Sequence, residues 1–262
     1  METRQQIAAH RSIRKYRPDP VSEALLGDVL HAATRASSSG NMQTYSIIVT
    51  RDEARRRELW RLHFEQDMIL QAPVLLTFVA DWRRMNRWCR LSDAEPGYDN
   101  PLSFLVGFAD ALIAAQNAAL AAEAAGLGIC YMGTTLCNVP KLIDFFGLPE
   151  GVFPATTLVL GWPGEDPAPR ARLPIEGIVH AERYTDPDDD GIRAIYRDRE
   201  TEGWARYMSY PELAERMRTS GVKNLAQVYT QLKYRKTDNE EVSEEILAGL
   251  RSQGFMAGPG GS

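Results

Sequence analysis

Residues 102–125 constrain the fold more than any other stretch of this 262-residue chain. Alanine stands at 109, 111, 114, 115, 118, 119, 121, 122, 124 and 125, and charges are few. A helix that is apolar nearly all round has to be buried, and small side chains let neighbouring elements approach closely. The stretch is therefore expected to be the central helix of the fold and part of a dimer interface. Asp110, Gln116, Asn117 and Glu123 interrupt it, which argues against a membrane span.

Around this helix the chain alternates between strand and helix signals. Val74–Ala80 is almost continuously apolar, as expected of a strand covered on both faces. Further strands are expected at 45–50, 129–132 and 156–161. Helices are expected at 2–9, at 23–36 behind a Ser22 cap, and from an Asp52 cap to about His63. Another begins after Asn138, with Pro140 in its first turn and Gly147 closing it. Residues 66–72 read as a connector. Residues 81–101, with Trp82, Trp88 and Tyr98, read as an irregular loop whose aromatics can wall a pocket or face a partner. Residues 187–218 and 224–251 read as helical, after an Asp188–Asp190 turn. The expected organisation is a main domain over 1–205, a helical extension over 206–257 packed on it, and a flexible tail at 258–262.

Several functional classes lose support at once. A net charge of -5, with 44% hydrophobic and 25% charged residues, describes an ordinary globular protein and not a nucleic-acid or membrane-surface binder. Cys89, Cys130 and Cys137 are odd in number and form no CxxC pair, which disfavours a disulfide framework or zinc site and suits a reducing cytoplasm. The N-terminus lacks the apolar core of a signal peptide. His10, His31, His63 and His180 have no ligand spacing, and there is no GxSxG, HExxH or phosphate loop. Gly126-Leu127-Gly128 comes after a helix and before a strand, the reverse of a dinucleotide fingerprint.

Two arginine clusters remain. His10-Arg11-Ser12-Ile13-Arg14-Lys15 concentrates cations before Pro18 and Pro20, and Arg170 and Arg172 lie in a Pro-rich loop. Arginine grips phosphate through paired charged hydrogen bonds, and the Ser37–Ser39 loop can complete such a cradle. A solvated basic turn explains the first cluster equally simply.

The blocks His10–Arg14, Ser37–Ser39, Ser46–Val49, Ala114–Ala118, Gly126–Gly133, Leu160–Pro163 and Arg172–Pro174 occur together in this order. With them the chain resembles the FMN-dependent nitroreductases, in particular their NADPH-preferring flavin oxidoreductase branch, over roughly residues 5–185. The resemblance implies an α+β homodimer with a mainly antiparallel sheet flanked by helices, a long buried central helix, and FMN between subunits. It implies that His10, Arg11, Ser12 and Arg14 contact the ribityl phosphate, with Arg172 and Arg170 as further ligands, the latter standing where relatives often carry Lys. Ser38 and Gln66 become polar flavin contacts, and Tyr131, Met132 and Gly133 line the ring. Thr134 departs from the second glycine of close relatives.

The activity so implied passes electrons from NADPH or NADH through flavin to a nitroaromatic, quinone or flavin acceptor. No side chain is assigned as catalytic and no metal is expected. Lys233–Lys236, or Arg216 and Arg218, are possible partners for the extra phosphate of NADPH. Two rival readings share the resemblance: a dedicated reductive step such as dehalogenation, and a flavin-binding regulatory protein without turnover.

Overall fold

The computed structural model describes residues 2–256, so the expected tail at 258–262 lies outside the described residues. The chain forms two compact units, one running to Ala168 and resuming at Val242, the other comprising Pro169–Glu241. The first unit begins with α1 (Thr3–Ala8), α2 (Glu23–Thr34), β1 (Tyr45–Thr50), α3 (Glu53–Leu62) and α4 (Met68–Gln71). It continues with β2 (Val74–Asp81), α5 (Arg83–Leu91), α6 (Pro101–Ala124), β3 (Gly128–Met132), α7 (Val139–Phe146) and β4 (Val152–Gly161). The second contains α8 (Asp189–Met208), α9 (Pro211–Ser220), the single turn α10 (Leu225–Gln227) and a π-helical turn over Val228–Lys233. Helix α11 (Lys236–Ser252) begins there and returns the chain to the first unit.

The four strands make one antiparallel sheet in the order β1-β2-β4-β3. Every residue of β2 and β4 is buried, as the continuous apolar run of β2 requires of a central strand. Their Thr77 and Thr157 hydroxyls satisfy each other at 3.0 Å, so the polar pair costs the core little. Strand β4 starts four residues earlier than its β-branched run suggests. Pro154 sits in that extra length, opposite Val79 where the register shifts, and a bulge tolerates a residue with no ladder N–H.

Helix α6 lies across this sheet, and its buried alanines, from Ala111 to Ala122, share one cluster with Leu76, Phe78, Ile129 and Leu158. Its burial is one-sided, contrary to the expectation of burial nearly all round: Leu102, Leu105, Leu112 and Ile113 remain exposed. The expected loop at 81–101 is also corrected, since Arg83–Leu91 is helical. The Arg, Met and Leu content of this stretch favours helix, whereas the Gly97–Pro101 punctuation acts only on the residues beyond it. The buried Trp82 stacks on the half-buried Tyr98, ring centroids 4.4 Å apart. Trp88 instead joins Arg83, Arg84 and Arg87 along a cavity of about 530 Å³.

Capping reflects local chemistry. Ser22 accepts from Leu25 N, Asp52 from Arg55 N and Asn100 from Ser103 N. Asn138 begins α7 without a side-chain cap: its NH2 donates to Leu62 O at 2.6 Å, and its Oδ1 accepts from Lys141 Nζ at 3.3 Å in place of a backbone N–H. Gly147 ends α7 in the left-handed conformation. In the second unit Asp188 caps α8, so the acidic run is a helix start and not a free turn. Ser209 and Tyr210 divide the expected 187–218 helix just before Pro211, which cannot donate into a helix interior. Residue 205 lies within α8.

Candidate functional site

The basic stretch is fastened to the core through its apolar members. Ile13 and Tyr16 are buried, and Ile13 N donates to Ile129 O of β3 at 2.9 Å. Gly128 permits this approach, because a Cβ there would stand 2.8 Å from Ile13 Cβ. Tyr16 donates its hydroxyl to Ile13 O at 2.8 Å, and burial pushes its phenol pKa up, so it serves here as a neutral strut. The charged members are thus presented by a segment anchored on both sides of Arg14.

The four predicted phosphate contacts are not equally placed. His10 Nδ1 donates to Glu123 at 2.6 Å, and Arg11 pairs with Asp166 while donating to Ala9 O. Both line a cavity of about 570 Å³ whose rim also carries Glu123, Glu165 and Asp166. Three carboxylates make that cavity a poor seat for a phosphate dianion. Ser12 and Arg14 do not line it. The Arg14 guanidinium is exposed and pairs with no carboxylate among the described residues, contacting only Ser12 O at 3.5 Å. The open positive charges of this stretch are therefore at Arg14 and Lys15, both exposed and without a carboxylate partner among the described residues, while Arg11 keeps one buried Nε–H without a partner.

The serine loop is held from below by α6. Asp110 is buried, and its two oxygens accept from Ser39 N at 3.0 Å and Thr44 Oγ1 at 3.1 Å. Ser38 Oγ accepts from Gln43 N, and the loop turns through left-handed Gly40, Asn41 and Gln43. Asp110 was visible as one of two carboxylates in an alanine-rich helix, but nothing in the sequence linked it to Ser39. No described hydrogen bond or ion pair joins this loop to the basic stretch or to Gln66.

Gln66 and the turn after β3 do come together, through a hydrogen bond from Gln66 to Thr134 at 3.3 Å. Tyr131 and Met132 end β3, and Gly133 opens onto space, with nothing within 4 Å of where a Cβ would be. A planar group can approach the backbone there. Tyr131 is steadied by its hydroxyl bond to Gln116 at 3.3 Å. His63, one of the histidines without ligand spacing, is buried beside Thr134, and burial lowers its pKa from 6.5 to about 4.

Arg170 and Arg172 belong to the second unit, where Arg172 donates to Arg170 O at 3.3 Å. Of the cations considered for the extra NADPH phosphate, Arg218 pairs with Glu215, Arg235 with Asp238 and Lys236 with Glu240. Lys233 sits 4.6 Å above the Tyr207 ring, and Arg216 donates to Leu232 O, neither meeting a carboxylate among the described residues. Also among the described residues, no cluster of three or more His, Cys, Asp or Glu side chains is gathered for a metal.

Where polar groups are left open they fit FMN: the Arg14 guanidinium for a phosphate, the space at Gly133 and the Gln66 amide oxygen for a ring. A model described as "Nitroreductase family" matches residues 7–162. An FMN reductase [NAD(P)H] of Bacillus subtilis (strain 168) is 34% identical over 239 residues, covering 83% of this chain and 96% of the relative. An oxygen-insensitive NADPH nitroreductase of Salmonella typhimurium is 37% identical over 190 residues, covering 72% and 77%. The structure of an NADPH:FMN oxidoreductase from Vibrio harveyi, solved with NAD+, superposes with a TM-score of 0.79 at 27% identity, covering 97% of this chain and 98% of that one.

Proposed function

Because the chain belongs to the nitroreductase family, we propose that it is an FMN-dependent oxidoreductase. It takes electrons from NADPH or NADH and delivers them to a small nitroaromatic, quinone or flavin acceptor, donor and acceptor using the site in turn. When bound, FMN supplies the redox chemistry, accepting hydride from a reduced nicotinamide and returning electrons to an electron-poor substrate. The chain's own groups bind and orient. Arg14 and Ser12 hold the phosphate, Arg11 rests on the family pattern alone, and Gln66 with the backbone at 131–133 positions the ring. His10 acts through Glu123, which fixes its imidazole. Arg170 and Arg172 rest on the family pattern alone as phosphate ligands. Lys233 and Arg216, the cations not offset by carboxylates, are the favoured partners for the NADPH phosphate.

The observation that carries this reading is an open guanidinium, Arg14, next to the open Lys15, on a stretch whose His10 and Arg11 are paired with carboxylates. Purified protein loaded with FMN should be yellow, and NADPH under nitrogen should bleach it. An acceptor such as a nitroaromatic or quinone should then restore the colour. A yellow protein that neither nicotinamide reduces would instead be a flavin-binding module, and one that takes up no FMN would refute the proposal.

We further propose a cytoplasmic homodimer. None of the three cysteines is in a disulfide, as suits a reducing compartment. Leu102, Leu105, Leu112 and Ile113 are 70, 60, 37 and 44% exposed and share one stripe of α6. A second copy covers such a stripe by two-fold symmetry, and it would also bring a second serine loop, which one copy leaves apart from the other candidate contacts. Sedimentation should give a dimer for the wild type and a monomer for Leu105→Glu/Ile113→Glu. A wild-type monomer at micromolar concentration would overturn the assembly.

A further inference from the structure

Three side chains where the end of α3 meets the turn after β3 form one hydrogen-bonded chain. Gln66 Nε2 donates to His63 O at 3.1 Å and to Thr134 Oγ1 at 3.3 Å. Thr134 Oγ1 in turn lies 2.8 Å from His63 Nδ1. A backbone carbonyl can only accept, so the end of the Gln66 amide that faces His63 O has to be its NH2. Both amide hydrogens are then committed within the protein. Gln66 Oε1 is left with no hydrogen bond among the described residues, and the residue is only half-buried.

The proton count also orders the other two members. His63 Nε2 is buried without a partner. If Thr134 donates its hydroxyl to Nδ1, that hydroxyl is fully used, accepting from Gln66 and giving to His63. The only orphan is then Nε2–H. If Nδ1–H donates instead, the Thr134 hydrogen and the Nε2 lone pair both lack partners. A buried polar group left unpaired is costly, so the first arrangement, with one orphan and not two, is preferred. It runs head to tail from Gln66 through Thr134 to His63, the arrangement in which successive hydrogen bonds strengthen one another. Burial keeps the imidazole neutral near pH 7, so that Nδ1 remains available as an acceptor.

We infer that Thr134 and His63 are positioning residues that lock the Gln66 amide with its oxygen outward, so that the site offers the ligand an acceptor there and selects a ring N–H. The inference rests on the proposed FMN binding. In oxidised FMN the ring carries one such group, the imide N3–H, so the lock favours that edge over the flanking carbonyls.

Two measurements test it. In the wild-type apo-protein, nitrogen-15 shifts of His63 should show Nδ1 unprotonated and Nε2 protonated, and the opposite tautomer would overturn the lock whatever any variant does. Apo Thr134→Val, which keeps the shape and removes the hydroxyl, should bind FMN about 10-fold more weakly, and Thr134→Ser should stay within about 2-fold of wild type. The wild-type preference for FMN over its N3-methylated analogue should shrink by the same factor in Thr134→Val, a change that a merely looser turn would not produce. Wild-type FMN binding that Thr134→Val fully retains would overturn the lock and leave the cofactor reading standing. If the wild type binds no FMN, the cofactor reading fails instead and the selection of a flavin N–H falls with it, while the tautomer still reports on the hydrogen-bonded chain.

Discussion

Arg14→Glu should yield a folded protein that binds FMN roughly 100- to 1,000-fold more weakly, read by quenching of flavin fluorescence on titration of the apo-protein. A charge-assisted hydrogen bond to phosphate contributes about 1.5–3 kcal/mol, and the reversed charge adds repulsion of similar sign. The side chain is exposed, and its one described contact is a long bond to Ser12 O, so removing it takes little from the core. The melting temperature of the apo-protein should therefore move by no more than about 2 °C. Arg11 makes the useful contrast, since it is already paired with Asp166 and its loss mixes two effects. Unchanged FMN affinity in Arg14→Glu would remove this residue from the site.

Asp110→Ala should act in the opposite way, on the scaffold first and the ligand second. The buried carboxylate accepts from Ser39 N and Thr44 Oγ1, and its loss strands two donors in the interior. Two unsatisfied groups at about 1–3 kcal/mol each predict a destabilisation of roughly 2–6 kcal/mol, or about 4–12 °C in melting temperature at about 2 °C per kcal/mol for a chain of this size. The Ser37–Ser39 loop should become mobile, visible as faster amide exchange at Ser39 than in the wild type. Asp110→Asn keeps an acceptor and should recover part of the loss. A melting temperature for Asp110→Ala within about 1 °C of wild type would show that α6 does not hold the loop.

Much of the architecture was legible because it rests on local patterns. The buried run at 74–80, the Ser22, Asp52 and Gly147 signals and the alanine-rich helix each carry their own physics, and each element formed where it was expected. The misreadings came from competing local cues. Pro154 masked the start of β4 until its bulge partner Val79 was known, and the aromatics of 81–101 hid a helical arginine-rich turn. At the candidate site the residue types were legible but their pairings were not. That Glu123, Glu165 and Asp166 crowd one side of the basic stretch depends on contacts more than 100 residues apart in sequence. His63 gave no signal at all, because its meaning lies in Thr134, 71 positions further on.

The anchoring of the basic stretch by Ile13 and Tyr16 bears on how a ligand is received. Pulling these two buried side chains into water costs roughly 3–6 kcal/mol, taking about 1.5–3 kcal/mol for each. At that cost the segment is detached in fewer than about one molecule in a hundred at any moment. An arriving anion therefore meets backbone that is already in place, and has only the Arg14 side chain to immobilise. Ordering entropy that a disordered basic loop would subtract from affinity is met during folding, by a hydrophobic contact that depends on the missing side chain of Gly128.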